Sequence, residues 1–445
     1  VLPIYIHDDV NSGAWKPGAA SRCWLHHSLH ALNKSLDNRL LVLHGDPLQL
    51  LPALVQAHDI QQVCWNRCYE PWQIKRDSKL KQQLQAMSLE VHSFNAGLLW
   101  EPWQVSKADG SPYKVFTPYY RRGCKAAAPP DAPLPAPAAL SLTQLESGQG
   151  GPAIDRLPLL PAHPWHAQLS QHWSVGEQAA QARLEGFLGE RLKGYREGRD
   201  FPARQQVSGL SPHLHFGEIS PRLIWHRATI AALEQRVESD LDCFLSELAW
   251  REFSYYQLYH DPQLPEQNVK SKFDGFPWLE DRSALQQWQR GETGYPLIDA
   301  GMRELWQTGS MHNRVRMVVA SFLIKNLGQH WRHGADWFWD TLADADLASN
   351  SASWQWVAGS GADAAPYFRI FNPVTQSQRF DPDGSYIRRF VPELAALPDR
   401  HLHDPAAAPA AVLKQAGIRL GEHYPEPIVD LRSSRERALA AFKAL

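Results

Sequence analysis

The segment LLVLHGDPLQLLPALVQAHDIQQVCW, Leu40–Trp65, decides the fold. Leu40–His44 is a short apolar run that stops at Gly45-Asp46, and it reads as a strand. Pro47 opens a helically spaced stretch to Ala57. Proline in a first helical turn sacrifices no hydrogen bond and presets the backbone angle. Ile60–Trp65 is a second strand. Strand, helix and strand in this order mean parallel strands joined by a crossover helix. The same alternation extends outward. Val1–His7 reads as a strand and Ala19–Leu36 as a helix on one side; Pro71–Met87 reads as a helix and Leu89–Phe94 as a strand on the other. Residues 1–125 are therefore expected to form an α/β, Rossmann-like domain with a parallel sheet. No glycine-rich phosphate loop follows any of these strands.

Beyond it, residues 126–139 read AAAPPDAPLPAPAA, a density of proline that no helix interior tolerates. Residues 126–160 are expected to be an extended linker. Helical patterns resume near Trp165, the clearest being Gln178–Leu192, Pro221–Leu233, Asp240–Tyr259, Tyr295–Thr308 and Arg314–Leu327. Strand signals are nearly absent there, so residues 161–445 are expected to be a large all-α domain.

Composition excludes several classes. The 445 residues are 44% hydrophobic and 21% charged, ordinary globular usage rather than that of a disordered or fibrous chain. Lys+Arg 45 against Asp+Glu 47 gives 45 − 47 = −2, so any nucleic-acid contact must come from a local basic patch. No apolar run reaches membrane-spanning length and no signal-peptide pattern opens the chain. Five cysteines form no framework, which points to a reducing cytoplasm, and Cys64 and Cys68 lack the second ligand pair of a zinc site. No metal is expected. Eighteen tryptophans against 13 tyrosines and 16 phenylalanines are an excess that asks for a reason.

Among the motifs, Gly359-Ser-Gly361-Ala-Asp-Ala364 matches a dinucleotide fingerprint only as a string, because no strand precedes it and Pro366 follows where a helix should open. Asp344-Ala-Asp346-Leu-Ala-Ser-Asn350 fails as a calcium loop at its later positions. A turn with Asx caps is its ordinary reading. It runs straight into Ser353-Trp354-Gln355-Trp356, however, and carboxylates, an amide and indoles together suit a planar heteroaromatic ligand with a ribose. In Met311–Met317, helical spacing puts Asn313, Arg316 and Met317 on one face, with Arg314 pointing elsewhere. The apolar run after it suggests burial, and a buried arginine needs a carboxylate, for which Asp344 is a candidate. Glu247, Trp250 and Arg251 share a face in the same way. A surface salt bridge is the ordinary reading for that pair of charges, but Trp250 beside them argues for a pocket wall. Trp278, Trp331 and Trp354, taken singly, read as core residues.

Several segments together carry a resemblance: YREGRDFPA from Tyr195, SGLSPHLHFGEISP from Ser208, ELAWREF from Glu247, TGYPLIDAGMR from Thr293, MHNRVRM from Met311, DADLASNSASWQW from Asp344 and APYFRIFNP from Ala365. In this order they resemble the DNA photolyase/cryptochrome family, and most closely its class I cyclobutane pyrimidine dimer photolyases. The resemblance implies an α/β domain, a long linker and a helical domain holding one non-covalent FAD. It places Tyr195, Val207, Ser208, Leu210 and Ser211 at the FAD phosphates and ribityl chain. Glu247, Arg251, Asn313 and Arg316 would line the cofactor, Asp344 would pair with Arg316, and Asp346 would meet the polar edge of the ring or the adenosine side. Asn350 would face flavin N5. The lesion pocket would be Glu247, Trp250, Asn313, Met317 and Trp356, with DNA contacts from Arg199, Arg314 and Gln376. Trp354, Trp331 and Trp278, in that order outward, would relay electrons, which accounts for part of the indole excess.

The implied activity is light-driven repair of UV-damaged DNA by a cytoplasmic, monomeric enzyme. The dimer is flipped out of the duplex, which is cheapest for a damaged base, and stacks on indoles. Excited reduced FAD lends it an electron, while Glu247 and Asn350 act as the catalytic residues. Glu247 would stabilise the added charge, and the neutral Asn350 tolerates an anionic flavin. A cryptochrome-like blue-light photoreceptor, a repair-deficient relative and a (6-4) photolyase are the alternatives. The last typically has histidines where Asn313 and Met317 stand. Departures from the pattern are Val207 for a usual Thr, Gly209 where Arg or Gly occurs, and Ser310 for a usual Trp, which together predict weaker FAD binding. The family's first strand and helix have no counterpart before Val1, so antenna-chromophore binding is expected to be weak or absent.

Overall fold

A computed structural model describes residues 1–137, 139–143 and 154–445. Residue 138 and residues 144–153 of the expected linker lie outside the described residues. The chain divides into two compact units. The first comprises Val1–Lys193, Ser208–Pro265 and Ala343–Ser349; the second comprises Gly194–Val207, Glu266–Leu342 and Asn350–Leu445.

In the first unit the expected alternation is present: β1 (Ile4–His7), α1 (Ala19–Ser35), β2 (Leu41–His44), α2 (Pro47–His58), β3 (Gln62–Asn66), α3 (Pro71–Ala86) and β4 (Glu90–Phe94). Asp46 caps α2, accepting the Leu48 N–H at 3.0 Å, with Pro47 behind it. The strands are parallel, as expected, but they form two pairs rather than one sheet. β1 pairs with β2, with Ile4 opposite Leu41 and His7 opposite His44, and β3 pairs with β4. The pairs meet through side chains. Ile4 and Ile6 of β1 and Val63 and Trp65 of β3 pack on one core of Leu51, Val55, Leu80, Leu84 and Val91. Helices α4 (Trp165–Ser170), α5 (Glu177–Glu190), α6 (Ser211–His215), α7 (Pro221–Gln235) and α8 (Glu238–His260) complete this unit.

The second unit is helical: α9 (Arg282–Arg290), α10 (Pro296–Thr308), α11 (Asn313–Ser321), α12 (Trp331–Thr341), α13 (Leu347–Ala358, entering from the first unit), α14 (Pro373–Phe380) and α15 (Leu431–Lys443). The single helix expected over 314–327 is α11 followed by a wider π-helical turn, Phe322–Asn326, closed by the Leu327 N–H on the Phe322 carbonyl at 2.9 Å. That turn buries Lys325 and Asn326. The segment with the ordinary reading of an Asx-capped turn does turn, and leads into α13: Asp346 accepts the Ser349 N–H at 2.7 Å, the bond of a helix N-cap. The glycine string after it ends this helix, with Gly359 at φ +89 where a side chain is strained.

Candidate functional site

The expected cofactor residues divide between the units. Ser208, Leu210, Ser211, Glu247, Arg251, Asp344 and Asp346 belong to the first, and Tyr195, Val207, Asn313, Arg316 and Asn350 to the second.

In the first unit, the start of α13 is a polar centre. Asp346 accepts a short hydrogen bond from the Tyr255 hydroxyl of α8, and His215 Nδ1 of α6 stands 3.8 Å away, an ion-pair separation. Burial alone raises a carboxyl, but His215, the Tyr255 hydroxyl and the Ser349 N–H outweigh it and hold Asp346 down at about 2. Nearby Glu70 accepts the Trp72 indole N–H at 2.6 Å. Burial, and then the charge of Asp346, push it up to about 7. At neutral pH the centre thus holds one fixed anion and one carboxyl that readily takes a proton. Both suit the positive end of a helix. Asp344, two residues earlier, accepts from Ser211 Oγ at 2.6 Å, which ties the expected phosphate-binding run to α13.

The α8 face read from sequence is present. Arg251 donates to the Gly97 carbonyl at 2.7 Å and lies 4.9 Å over the Tyr255 ring. Glu252 beside it is buried and accepts the N–H groups of Leu99 and Trp100 at 2.8 and 3.3 Å. Burial pushes this carboxyl up to about 7, against the pull of Arg251. Glu247 and Trp250 are half-buried. One face of Trp250 is already covered by Phe116, stacked at 3.7 Å, so a base can stack only on the other.

Sequence reasoning missed Arg183. Gly209 has φ +65, and a Cβ there would sit 2.7 Å from Arg183 Nη1. The guanidinium therefore lies against the run Ser208–Ser211. Among the described residues no carboxylate pairs with it. Burial, then the like charge of Arg191, lower its pKa. A half-buried guanidinium against a phosphate-type run, with a second arginine close enough for its charge to act on it, is a chemistry that fits a diphosphate.

In the second unit, His312 caps α11 by accepting the Arg314 N–H at 3.2 Å. Asn313 is exposed, and Arg316 and Met317 are half-buried. Arg316 Nε donates to the Met311 carbonyl at 2.8 Å. Arg314 pairs with Asp200 at 2.8 Å and covers the Phe380 ring at 4.5 Å. Arg199 lies 5.6 Å over the ring of buried Tyr195. Gln376 Oε1 is buried without a hydrogen-bond partner. Val207 and Trp356 are half-buried, and Ser310 is exposed. The Asn350 amide donates to the Ala335 carbonyl at 3.0 Å, which leaves its own oxygen to accept.

Of the three tryptophans, Trp354 and Trp331 are buried and Trp278 is half-buried. Trp354 is 2% exposed and sits edge-on to Phe338 at 5.0 Å. It packs so closely on Gly334 of α12 that a Cβ there would fall 2.0 Å from the indole. Trp331, buried, begins the same helix and donates to Asn268 Oδ1 at 2.9 Å. His330 bridges it to half-buried Trp278, with ring centroids 5.6 and 5.0 Å apart.

Among the described residues no helix is long and apolar enough to cross a membrane. A family model described as "DNA photolyase" matches residues 1–138, and one described as "FAD binding domain of DNA photolyase" matches residues 244–444. A protein of Agrobacterium fabrum named deoxyribodipyrimidine photo-lyase is 48% identical over 100% of this chain and 92% of its own. Cryptochrome-1 of Arabidopsis thaliana is 36% identical over 98% of this chain and 65% of its own. The solved structure of a bacterial class III photolyase from Agrobacterium tumefaciens superposes with a TM-score of 0.95 at 48% identity, covering 100% of this chain and 92% of that one.

Proposed function

The chain belongs to the DNA photolyase/cryptochrome family, with that family's FAD-binding domain, and from this premise we propose that it is a deoxyribodipyrimidine photo-lyase that splits cyclobutane pyrimidine dimers in UV-damaged DNA. The observation that carries repair over signalling is the 48% identity along the whole chain to a protein named for that activity, against 36% to the plant cryptochrome. The class I affinity expected from the motifs gives way, in this reading, to class III, because of the likeness to the Agrobacterium tumefaciens structure.

Bound reduced FAD supplies light-driven one-electron chemistry. This chain's residues do the rest. Arg183 neutralises the diphosphate, beside the Ser208–Ser211 backbone. Asp346, an anion at neutral pH, accepts hydrogen bonds from ligand N–H or hydroxyl groups. Tyr195, Val207, Arg251, Asn313 and Arg316 line the cofactor, and the Asn350 amide stands at the flavin without adding negative charge. Trp250 offers its uncovered face to the flipped-out bases, with Glu247 on the same helix; Trp356, Asn313 and Met317 are the second unit's expected contributions to lesion binding. Arg199, Gln376 and Arg314 contact the DNA backbone. Arg314 must exchange Asp200 for a phosphate, so its contribution is small. We place the α/β antenna-type domain at 1–125, the linker at 126–160 and the catalytic domain at 161–445, in a cytoplasmic monomer.

The test is a blue-light assay on an oligonucleotide with a single thymine dimer, alongside the absorption spectrum of the purified protein. A flavin spectrum with light-dependent loss of the dimer is expected. Flavin without repair would move the reading to a photoreceptor or a repair-deficient relative. A protein that cannot be loaded with FAD would end it.

A further inference from the structure

Away from the residues above, the first unit gathers imidazoles at one point. His26 and His30 are four apart on α1 and so share a face, one turn apart, with ring centroids separated by 4.7 Å. The short turn Ile154–Arg156 presents Asp155 to both. One carboxylate oxygen lies 3.6 Å from His26 Nε2 and 3.0 Å from His30 Nε2. The three atoms lie within 4.8 Å of one another. Two more imidazoles border them. The His27 ring is 5.2 Å from that of His26, and its Nε2 is buried without a hydrogen-bond partner. His166 of α4 is close enough for its charge to act on both.

We propose that His26, His30 and Asp155 form a binding site for a divalent transition-metal ion of the zinc type, with a water or a neighbouring imidazole completing it. In a tetrahedral site with bonds of about 2.0–2.1 Å, ligand atoms stand about 3.3–3.4 Å apart. The observed separations of 3.0 and 3.6 Å fall on either side of that edge. Imidazole with one carboxylate selects zinc, nickel or copper over calcium or magnesium. The expectation of no metal came from cysteine spacing, which is blind to histidines brought together by folding. The ion would staple α1 to the segment that leads into α4. His7, Asp9 and His44, at the ends of β1 and β2, make a comparable group, but Arg22 acts on His7 and Lys16 on Asp9, cations that oppose an ion.

The test uses the full chain, untagged and chelator-treated, titrated with Zn(II) against a chromophoric chelator, and with Co(II) read by its visible absorption. One equivalent of zinc, a raised Tm and tetrahedral Co(II) bands are expected. His30→Gln and Asp155→Asn alter side chains that are 45% and 70% exposed, so folding persists, as circular dichroism would show. Each should weaken binding about tenfold or more, whereas His44→Gln should not. Zinc binding unchanged in His30→Gln and Asp155→Asn, loss confined to His44→Gln, or no binding against the chelator would overturn the site.

Discussion

Replacing Arg183 by methionine separates what the residue does for the fold from what it does for the cofactor. The long apolar stem packs along α5 in either case, so the substitution removes chiefly the guanidinium. Without an anion, that group is a burden: it is half-buried, faces the like charge of Arg191 and has no carboxylate opposite it among the described residues. Flavin-free protein should therefore hold its Tm or gain a little. With FAD bound, the same group would donate charge-assisted hydrogen bonds to the diphosphate, interactions worth about 1.5–3 kcal/mol. Their loss corresponds to about ten- to a hundredfold in Kd. The assay is quenching of FAD fluorescence on titration with flavin-free protein, paired with differential scanning fluorimetry of both forms. Two results would refute the reasoning. An FAD affinity within about twofold of the parent would mean that the guanidinium does not face the diphosphate. A clear drop in Tm of the flavin-free variant would mean that Arg183 is structural. Gly209→Ala should injure the same place by another route, since its φ of +65 disfavours a side chain and the added Cβ meets Arg183.

Trp354→Phe keeps most of the packing volume against Gly334 and Phe338, yet phenylalanine is far harder to oxidise than indole. Light-driven reduction of oxidised FAD by an external reductant should fall sharply, while repair by chemically reduced enzyme survives; normal photoreduction would reject the Trp354–Trp331–Trp278 route. Trp250→Ala should do the reverse, weakening binding of a dimer oligonucleotide by about 1–3 kcal/mol per stacked base. Asp346 has a folded pKa of about 2, below the ordinary 3.8. Its contribution is present above pH 4 and is lost as the pH falls toward 2, so Asp346→Asn should flatten the acid limb of the Tm–pH curve in that window. Lys325, buried with its ammonium on the Arg369 carbonyl at 2.8 Å, is lowered by burial from 10.5 to about 7. The folded state pays in full for its charge below pH 7, and the penalty fades as pH rises toward 10.5. Lys325→Met should therefore raise Tm more at pH 6 than at pH 9; an equal shift at both would show that packing, not charge, sets the effect.

The alternation of the first hundred residues was legible because each strand is a short apolar run bounded by a residue that stops it. Asp46 followed by Pro47 both ends β2 and starts α2, a signal contained in two adjacent residues. The splitting of the strands into two pairs was not legible, since no strand's own pattern says which neighbour it bonds. Helices α12 and α13 escaped notice for a related reason. α12 is capped by His330, whose ring nitrogen accepts the Arg332 N–H at 3.1 Å, and histidine is not a cap that sequence rules look for. α13 buries residues on most of its circumference, including Gln355, which is satisfied by Gln267, Val269 and Ser360. A helix buried on most of its circumference, with polar residues among the buried ones, shows no clear apolar stripe. The local signal that was available is Asp346 with Ser349 three residues on.

The site shows the same limit more sharply. Glu247, Trp250 and Arg251 were legible as a face because helical spacing alone joins them. Asp346 could be singled out as a candidate, but its electrostatic state could not be foreseen. The Tyr255 hydroxyl that holds its proton off lies 91 residues away, and the Glu70 carboxyl that titrates against it comes from the loop before α3. Arg183 lies in EQAAQARLEGFLGE, where its neighbours give it the look of an ordinary surface arginine. Only the left-handed turn at Gly209 brings the phosphate-type run against it. A charge acquires function here through the partner it has or lacks, and partners are set by the fold. Spacing can nominate a polar residue, but its protonation state and its vacant valence belong to contacts made far along the chain. The distinction is testable in this molecule: Asp346 and Arg183 carry opposite charges, yet removing the first should weaken the flavin-free protein near neutral pH and removing the second should not.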